Sequence, residues 1–304
     1  MTVQTTATTA NPAVVGKPGT RTPASRKPTT GDRVVGTASH TVLIIWSIVV
    51  VVPLLWTVMS SFKTSSEIFA SPFSLPSNWN FDNYVNAWTT AGIGSFFLNS
   101  IVVVFGALIV TMLFGSMCAY VLARFRFFGS RAIYYLMLAG LTFPVFLAIV
   151  PLFFVLQSLG LLNSLPGLIL TYAAFAFPFT VFFLFSFFKS LPVSIAEAAA
   201  IDGAGEWRTF FQVMLPMARP GLATVAILNF VGLWNQFLLP VALNSNPQNY
   251  VLTQGMASFA AQAGYSVDFG ALFAASVITV VPVLIVYLIF QRQLQGSVSQ
   301  GTDK

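Results

Sequence analysis

The residues able to do chemistry in this sequence are few and fall into two groups. One is the polar stretch from Glu197 to Pro216, which holds Glu197, Asp202, Glu206 and Arg208 beside a run of alanines. Acids and an arginine on a short exposed segment make a recognition surface. The other group is Asn229, Trp234, Asn235 and Gln236, set in an otherwise apolar run. Amides hydrogen-bond to hydroxyls, and an indole plane packs on the C–H face of a sugar ring; the same residues also serve as hydrogen-bonded contacts between helices in lipid. Neither group is acid–base machinery. His40 is the only histidine and reads as an interfacial residue at the edge of an apolar run. Cys118, the only cysteine, forms no internal disulfide and no cysteine metal cluster. A membrane-embedded glycosyl or lipid transferase needs such groups gathered at one membrane face; here Asp268 and the loop acids are scattered.

The elements that position these residues are set by composition. Hydrophobic residues make up 56% of the chain and charged residues 7%, so its surface is built for lipid. Six continuous apolar stretches are each long enough to cross a bilayer as a helix: 41–62, 95–123, 132–159, 165–188, 220–243 and 269–290. Membrane barrel strands would be shorter and would alternate. The fold expected is an all-α membrane protein of six spans. Its domain plan is a disordered, Thr/Ala/Pro-rich tail over 1–40, a transmembrane domain over 41–290 and a C-terminal tail over 291–304. The first apolar run starts late and lacks a small-residue cleavage site, so it reads as an anchor and not a signal peptide.

The net charge of +6 does not imply nucleic acid. Lys17, Arg21, Arg26, Lys27 and Arg33 precede span one; Arg124, Arg126 and Arg131 follow span two; Lys189, Arg208 and Arg219 follow span four; Arg292 and Lys304 end the chain. The opposite side has only Lys63. The bias predicts both termini in the cytoplasm.

Within the polar stretch, Ser194 and Glu197 have capping-box spacing, and Pro192 with Ser190 as cap is an equal start. Gly203 is a helix stop, and a second amphipathic piece runs from Glu206 to Leu215. The residues alone fit a surface helix joining two spans as well as a docking element. Asn229 and Gln236, seven apart, would share a helical face. Gly115, Ala119 and Ala123 recur every fourth residue and make a close-packing face. Pro144, Pro151, Pro178 and Pro282 lie inside spans as possible kinks. The aromatic-rich loop 63–94 fits an interfacial cap or a docking surface. No ionisable residue lies well inside a span, which disfavours ion-coupled carriage. The chain has no Walker A sequence, so a motor would be another polypeptide.

Glu197-Ala198-Ala199, then Gly203, then Val213 and Leu215-Pro216 resembles the EAA loop of binding-protein-dependent ABC importer permeases, with valine at 213 where isoleucine is common. Residues 119–127 (AYVLARFRF) and 233–240 (LWNQFLLP) resemble segments of the carbohydrate branch. Residues 296–301 look like a drifted form of the ending of maltose-type permeases. The resemblance implies a type I ABC importer permease, the smaller six-span subunit, with an EAA loop over 189–218. It implies a cytoplasmic coupling helix between spans four and five, carried by Glu197, Ala198, Ala199, Asp202 and Gly203. Glu197 would contact a cytoplasmic ABC ATPase dimer, Ala198 and Ala199 would permit close approach to it, and Gly203 would turn the chain. The other implied partners are a second permease, an extracytoplasmic sugar-binding protein and membrane lipid. No cofactor is expected in this chain; ATP and Mg belong to the ATPase. Asn229, Trp234, Asn235 and Gln236 are the candidate substrate path. The function expected is that of a non-catalytic permease subunit of a sugar importer in a prokaryotic cell membrane. A polyamine or a glycerol phosphate is the alternative cargo, and the uncharged spans favour a neutral polyol.

Overall fold

The computed structural model describes residues 30–262 and 268–299. It divides into two units, residues 1–52 and 53–304. The first unit is described from Thr30, within helix α1 (Thr30–Ser60), whose apolar side chains from Val42 to Val52 are exposed. The tail expected over 1–40 lies outside the described residues as far as 29. From Thr30 the chain is helical, so the tail ends sooner than expected. His40 is exposed, its Nδ1 lying 2.7 Å from the Gly36 carbonyl oxygen.

The second unit continues with two short helices, α2 (Ser65–Ala70) and α3 (Asp82–Trp88), then span two, α4 (Ile93–Arg124). Span three comes in two pieces, α5 (Ser130–Thr142) and α6 (Val145–Ser158). Span four is α7 (Leu165–Ser190), and α8 (Val193–Ile201) follows. Short turns α9 (Glu206–Arg208) and α10 (Leu215–Met217) flank a π-helical stretch, Thr209–Met214. Then come α11 (Arg219–Trp234), α12 (Leu238–Leu243), α13 (Leu252–Gln262) and α14 (Phe269–Ser299).

Four helices are long and apolar enough to cross a membrane, and two bent pairs raise the number to six if each pair is one span. The hydrogen bonds support that count. Asn99, near the start of α4, donates to the carbonyls of Gln248 and Tyr250, and Asn249 donates to that of Asn163; residues 99, 163 and 244–250 therefore share one end of the bundle. Arg124, at the far end of α4, bonds to Leu191 at the base of α8. The chain from Ser130 to Asn163 thus crosses the bundle, and so does the chain from Glu206 to Asn244.

Small residues decide the central contact. Gly115 is buried in α4, and a Cβ there would lie 2.7 Å from Thr180 Cγ2 of α7. Ala119, one turn on, is fully buried. The four-residue spacing thus closes α4 on α7.

The prolines behave unequally. Pro53, Pro151, Pro178 and Pro282 sit inside continuous helices, whereas at Pro144 the two pieces of span three meet at 107°. Span five also departs from a single rod. It is bent by 76° where α10 meets α11, and α11 stops at Trp234. Pro240 has no N–H to give the Gln236 carbonyl, which a continued helix would require. That oxygen instead accepts from Thr253 Oγ1 at 2.7 Å and Tyr172 Oη at 3.5 Å, so the break is satisfied by side chains.

The loop between spans one and two folds as a cap on Lys63. This lysine is fully buried, and Nζ donates to the carbonyls of Ser71 (2.9 Å) and Pro72 (3.2 Å) and to Ser74 Oγ (3.3 Å). Asn83 Nδ2 donates to the carbonyls of Ser61 and Lys63. Phe69, Phe73, Leu75, Trp79 and Phe81 remain exposed on this cap.

Candidate functional sites in the coupling loop and the break of span five

The loop after span four begins with a proline that sets the helix start. Pro192 takes the N-cap position in extended backbone (φ −59°, ψ 135°), and α8 starts at Val193. Neither expected cap forms. No side chain caps α8, and Ser190 Oγ donates back to the Phe187 carbonyl. Pre-set proline geometry replaces the capping box. The expected stop is present: Gly203 has φ +77°, its N–H reaches the Ala200 carbonyl, and the Ala204 N–H reaches that of Ala199. This paired closure is the Schellman motif, for which glycine carries no steric cost.

The helix so fixed has two faces. Ala199 is buried, and Ala196 packs against the cluster of Tyr120, Phe188, Phe210 and Met214. Glu197, Ala198 and Asp202 are exposed, with Ile201 86% exposed and Val193 also outward. Ala199 therefore needs to be small for its own chain's sake, whereas Ala198 presents its methyl to the outside. Trp207 (67% exposed) stacks on Phe211 with centroids 6.0 Å apart and planes at 10°, and Arg208 Nε donates to Gln212 Oε1 at 2.9 Å. Beside the loop, Met117, Tyr120, Val121, Phe125, Glu206, Trp207 and Phe210 line a largely apolar cavity of about 280 Å³. Val193, Ile201 and Trp207 are thus exposed apolar side chains on a segment that also exposes Glu197, Asp202 and Glu206.

The path residues separate. Asn229 is buried, and Nδ2 donates to Thr180 Oγ1 of α7 at 2.7 Å. Trp234 is buried, stacks on Phe230 (5.6 Å, 27°) and donates from Nε1 to the Thr279 carbonyl of α14 at 3.1 Å. Both knit helices together. Asn235 is exposed at the C-cap, with Nδ2 on the Val231 carbonyl, and Gln236 is half-buried in the break. The shared face expected for Asn229 and Gln236 does not exist, because the helix ends between them.

Sequence reasoning missed the strap opposite the coupling loop. Asn163 Oδ1 accepts from the N–H and hydroxyl of Ser245, Asn244 donates to the Asn249 carbonyl, and Gln254 Nε2 donates to the Asn244 carbonyl at 2.6 Å. The amide-rich run from Asn244 to Gln254 was the available signal.

Residues 111–300 match the family model described as binding-protein-dependent transport system inner membrane component. The chain belongs to that family. It is 67% identical over 278 residues, 91% of this chain and 92% of the relative, to the diacetylchitobiose uptake system permease protein of Streptomyces coelicolor. It is 32% identical over 252 residues to the trehalose transport system permease protein of Mycobacterium tuberculosis, covering 83% of this chain and 92% of that one. Among solved structures, a chain of a bacterial ABC transporter involved in import of the acidic polysaccharide alginate superposes with a TM-score of 0.77 at 22% identity, covering 87% of this chain and 98% of that one. This permease is therefore a multi-pass helical membrane protein with the ABC importer permease fold. Its matched region contains the whole EAA loop and both groups of candidate residues.

Proposed function

We propose that this permease is a subunit of an ATP-driven, binding-protein-dependent sugar importer, and that its cargo is a short N-acetylated oligosaccharide of the diacetylchitobiose type. The observation that carries this reading is the 67% identity to the diacetylchitobiose uptake permease over nearly the full length of both chains. Spans without ionisable residues fit a neutral cargo. The chain pairs with a second permease to form the path and receives sugar from an extracytoplasmic binding protein. Both termini and α8 face the cytoplasm, where an ABC ATPase dimer holds ATP and Mg. Glu197, Ala198, Ile201 and Asp202 make the ATPase contact, and Gly203 holds the turn that transmits it. Asn235, with Gln236 beside it, faces the path; Asn229 and Trp234 hold the scaffold behind it.

The test is uptake of radiolabelled diacetylchitobiose in cells lacking this gene and in complemented cells, with unlabelled diacetylchitobiose, trehalose and maltose as competitors. Complementation restores uptake, and diacetylchitobiose competes best. Unchanged uptake in the deletion strain rejects the cargo assignment, and stronger competition by another sugar reassigns it.

A further inference from the structure

We propose that the loop joining spans two and three, Arg126–Arg131, binds the phosphate headgroup of an anionic phospholipid in the leaflet on the coupling-loop side. The loop leaves α4 at Arg124 and enters α5 at Ser130, so it cannot stray far from the ends of two spans. The 2.8 Å bond from Arg124 to the Leu191 carbonyl places it at the α8 end of the bundle.

Side chains in this segment differ in whether they touch the rest of the chain. Arg124 is bound to Leu191, and the Phe125 ring packs edge-on against Tyr120 at 5.8 Å. Arg126, Phe127, Phe128 and Arg131 are turned outward, and with Gly129 and Ser130 they line one open concavity of about 550 Å³. Gly129, with φ +89°, reverses the chain so that both arginines rim the same hollow. Neither guanidinium has a hydrogen-bond or ion-pair partner among the described residues. Phe128 is fully exposed.

Two forked cations over one hollow suit the oxygens of a phosphate. Free phosphate explains the arginines but leaves Phe127 and Phe128 in water. A lipid satisfies both, because aromatic side chains at a span end sit among headgroups and basic pockets between spans take anionic lipid. A docked protein is less suited, since the surface shaped for one is the acidic and apolar outer face of α8. The proposal relies on the functional reading above only for calling this side cytoplasmic.

The experiment uses the assembled permease–ATPase complex in nanodiscs of equal phosphatidylglycerol and phosphatidylcholine, with lipids retained after detergent extraction counted by native mass spectrometry. Wild type should retain phosphatidylglycerol over phosphatidylcholine, and Arg126→Gln with Arg131→Gln should lower that preference by roughly tenfold or more. Equal preference in wild type and variant overturns the proposal. Displacement of the lipid by millimolar inorganic phosphate assigns the site to free phosphate and also overturns it. Loss of the ATPase subunit with lipid retention unchanged assigns the loop to the protein interface and does the same. Should the double variant fail to assemble, a spin label at Phe128→Cys in a Cys118→Ala background leaves both arginines in place. Relaxation by oxygen above that by a water-soluble nickel complex supports the lipid contact; the reverse order rejects it. None of these readouts depends on which sugar is carried.

Discussion

The Arg124 guanidinium donates through Nη2 to the Leu191 carbonyl oxygen at 2.8 Å, joining the end of span two to the residue between span four and α8. Its Nε is buried without a partner. One side chain thus ties the end of span two to the junction of span four and α8. Truncation to Arg124→Ala removes a charge-assisted bond of about 1.5–3 kcal/mol. Uptake should fall by about tenfold while basal ATPase activity in proteoliposomes persists, and Arg124→Lys should restore part of the loss. Equal loss of ATPase activity and assembly would mean a folding role only.

At Gly203 the left-handed backbone, not space, is limiting, since a Cβ there meets nothing within 4 Å. Gly203→Ala should cost about 1 kcal/mol and leave most uptake intact. Gly203→Pro, locked at negative φ, should abolish uptake with membrane insertion retained. Comparable uptake in the two variants would contradict the closure geometry.

Glu197 is exposed on the outer face of α8, so its replacement leaves the permease fold untouched. Glu197→Lys should insert normally yet co-purify poorly with the ATPase subunit, and sugar uptake should drop by about tenfold or more because a contact charge is reversed. Normal uptake would remove this residue from the coupling surface.

Asn229 and Asn235 should fail differently. Asn229→Ala removes the bond to Thr180, whose hydroxyl keeps its bond to the Ala176 carbonyl, at a cost of about 0.5–1.5 kcal/mol, and should lower the melting temperature of the complex and the uptake of every cargo alike. Asn235→Ala should preserve melting and basal ATPase activity while reducing uptake of the preferred sugar. Identical thermal profiles with full transport in both would place the path elsewhere.

Orientation can be read by cysteine labelling in a Cys118→Ala background. Ser77 and Gln248 are exposed at the end opposite α8, and Ser194 is exposed on α8. Cysteine at the first two positions should react with an impermeant maleimide in intact cells, and cysteine at Ser194 only after lysis. Labelling of Ser194 in intact cells would invert the topology.

Much of this architecture was legible because lipid imposes a simple rule on sequence. The ends of spans two and four and the start of span six are read from continuous apolar runs, whereas α14 stays helical to Ser299, past the run that ends at 290; the close-packing face of α4 is read from Gly115 and Ala119. What escaped was local competition for backbone groups. Pro144 and Pro240 both deprive a carbonyl of its donor, as do Pro151 and Pro178, and sequence alone does not say where a Tyr172 or a Thr253 will stand ready to accept a break. The coupling stop was legible in Gly203 because glycine answers a conformational need, whereas its start was misplaced because Pro192 does the work of a cap. The division between Asn229 and Asn235 was hidden, since it depends on a helix ending between Trp234 and Gln236.

The elbow of span three joins two short halves. At 13 and 14 residues, α5 and α6 each reach only about 20 Å, short of the roughly 30 Å of hydrocarbon, so neither half is a membrane segment in its own right. What holds the elbow comes later in the chain. Gly140 lies so close to Pro178 of α7 that a Cβ would sit 2.9 Å from the proline ring, and α6 packs on α12. The contacts that hold the two halves of span three thus come from α7 and α12, both later in the chain, so the bend at Pro144 joins segments far apart in sequence.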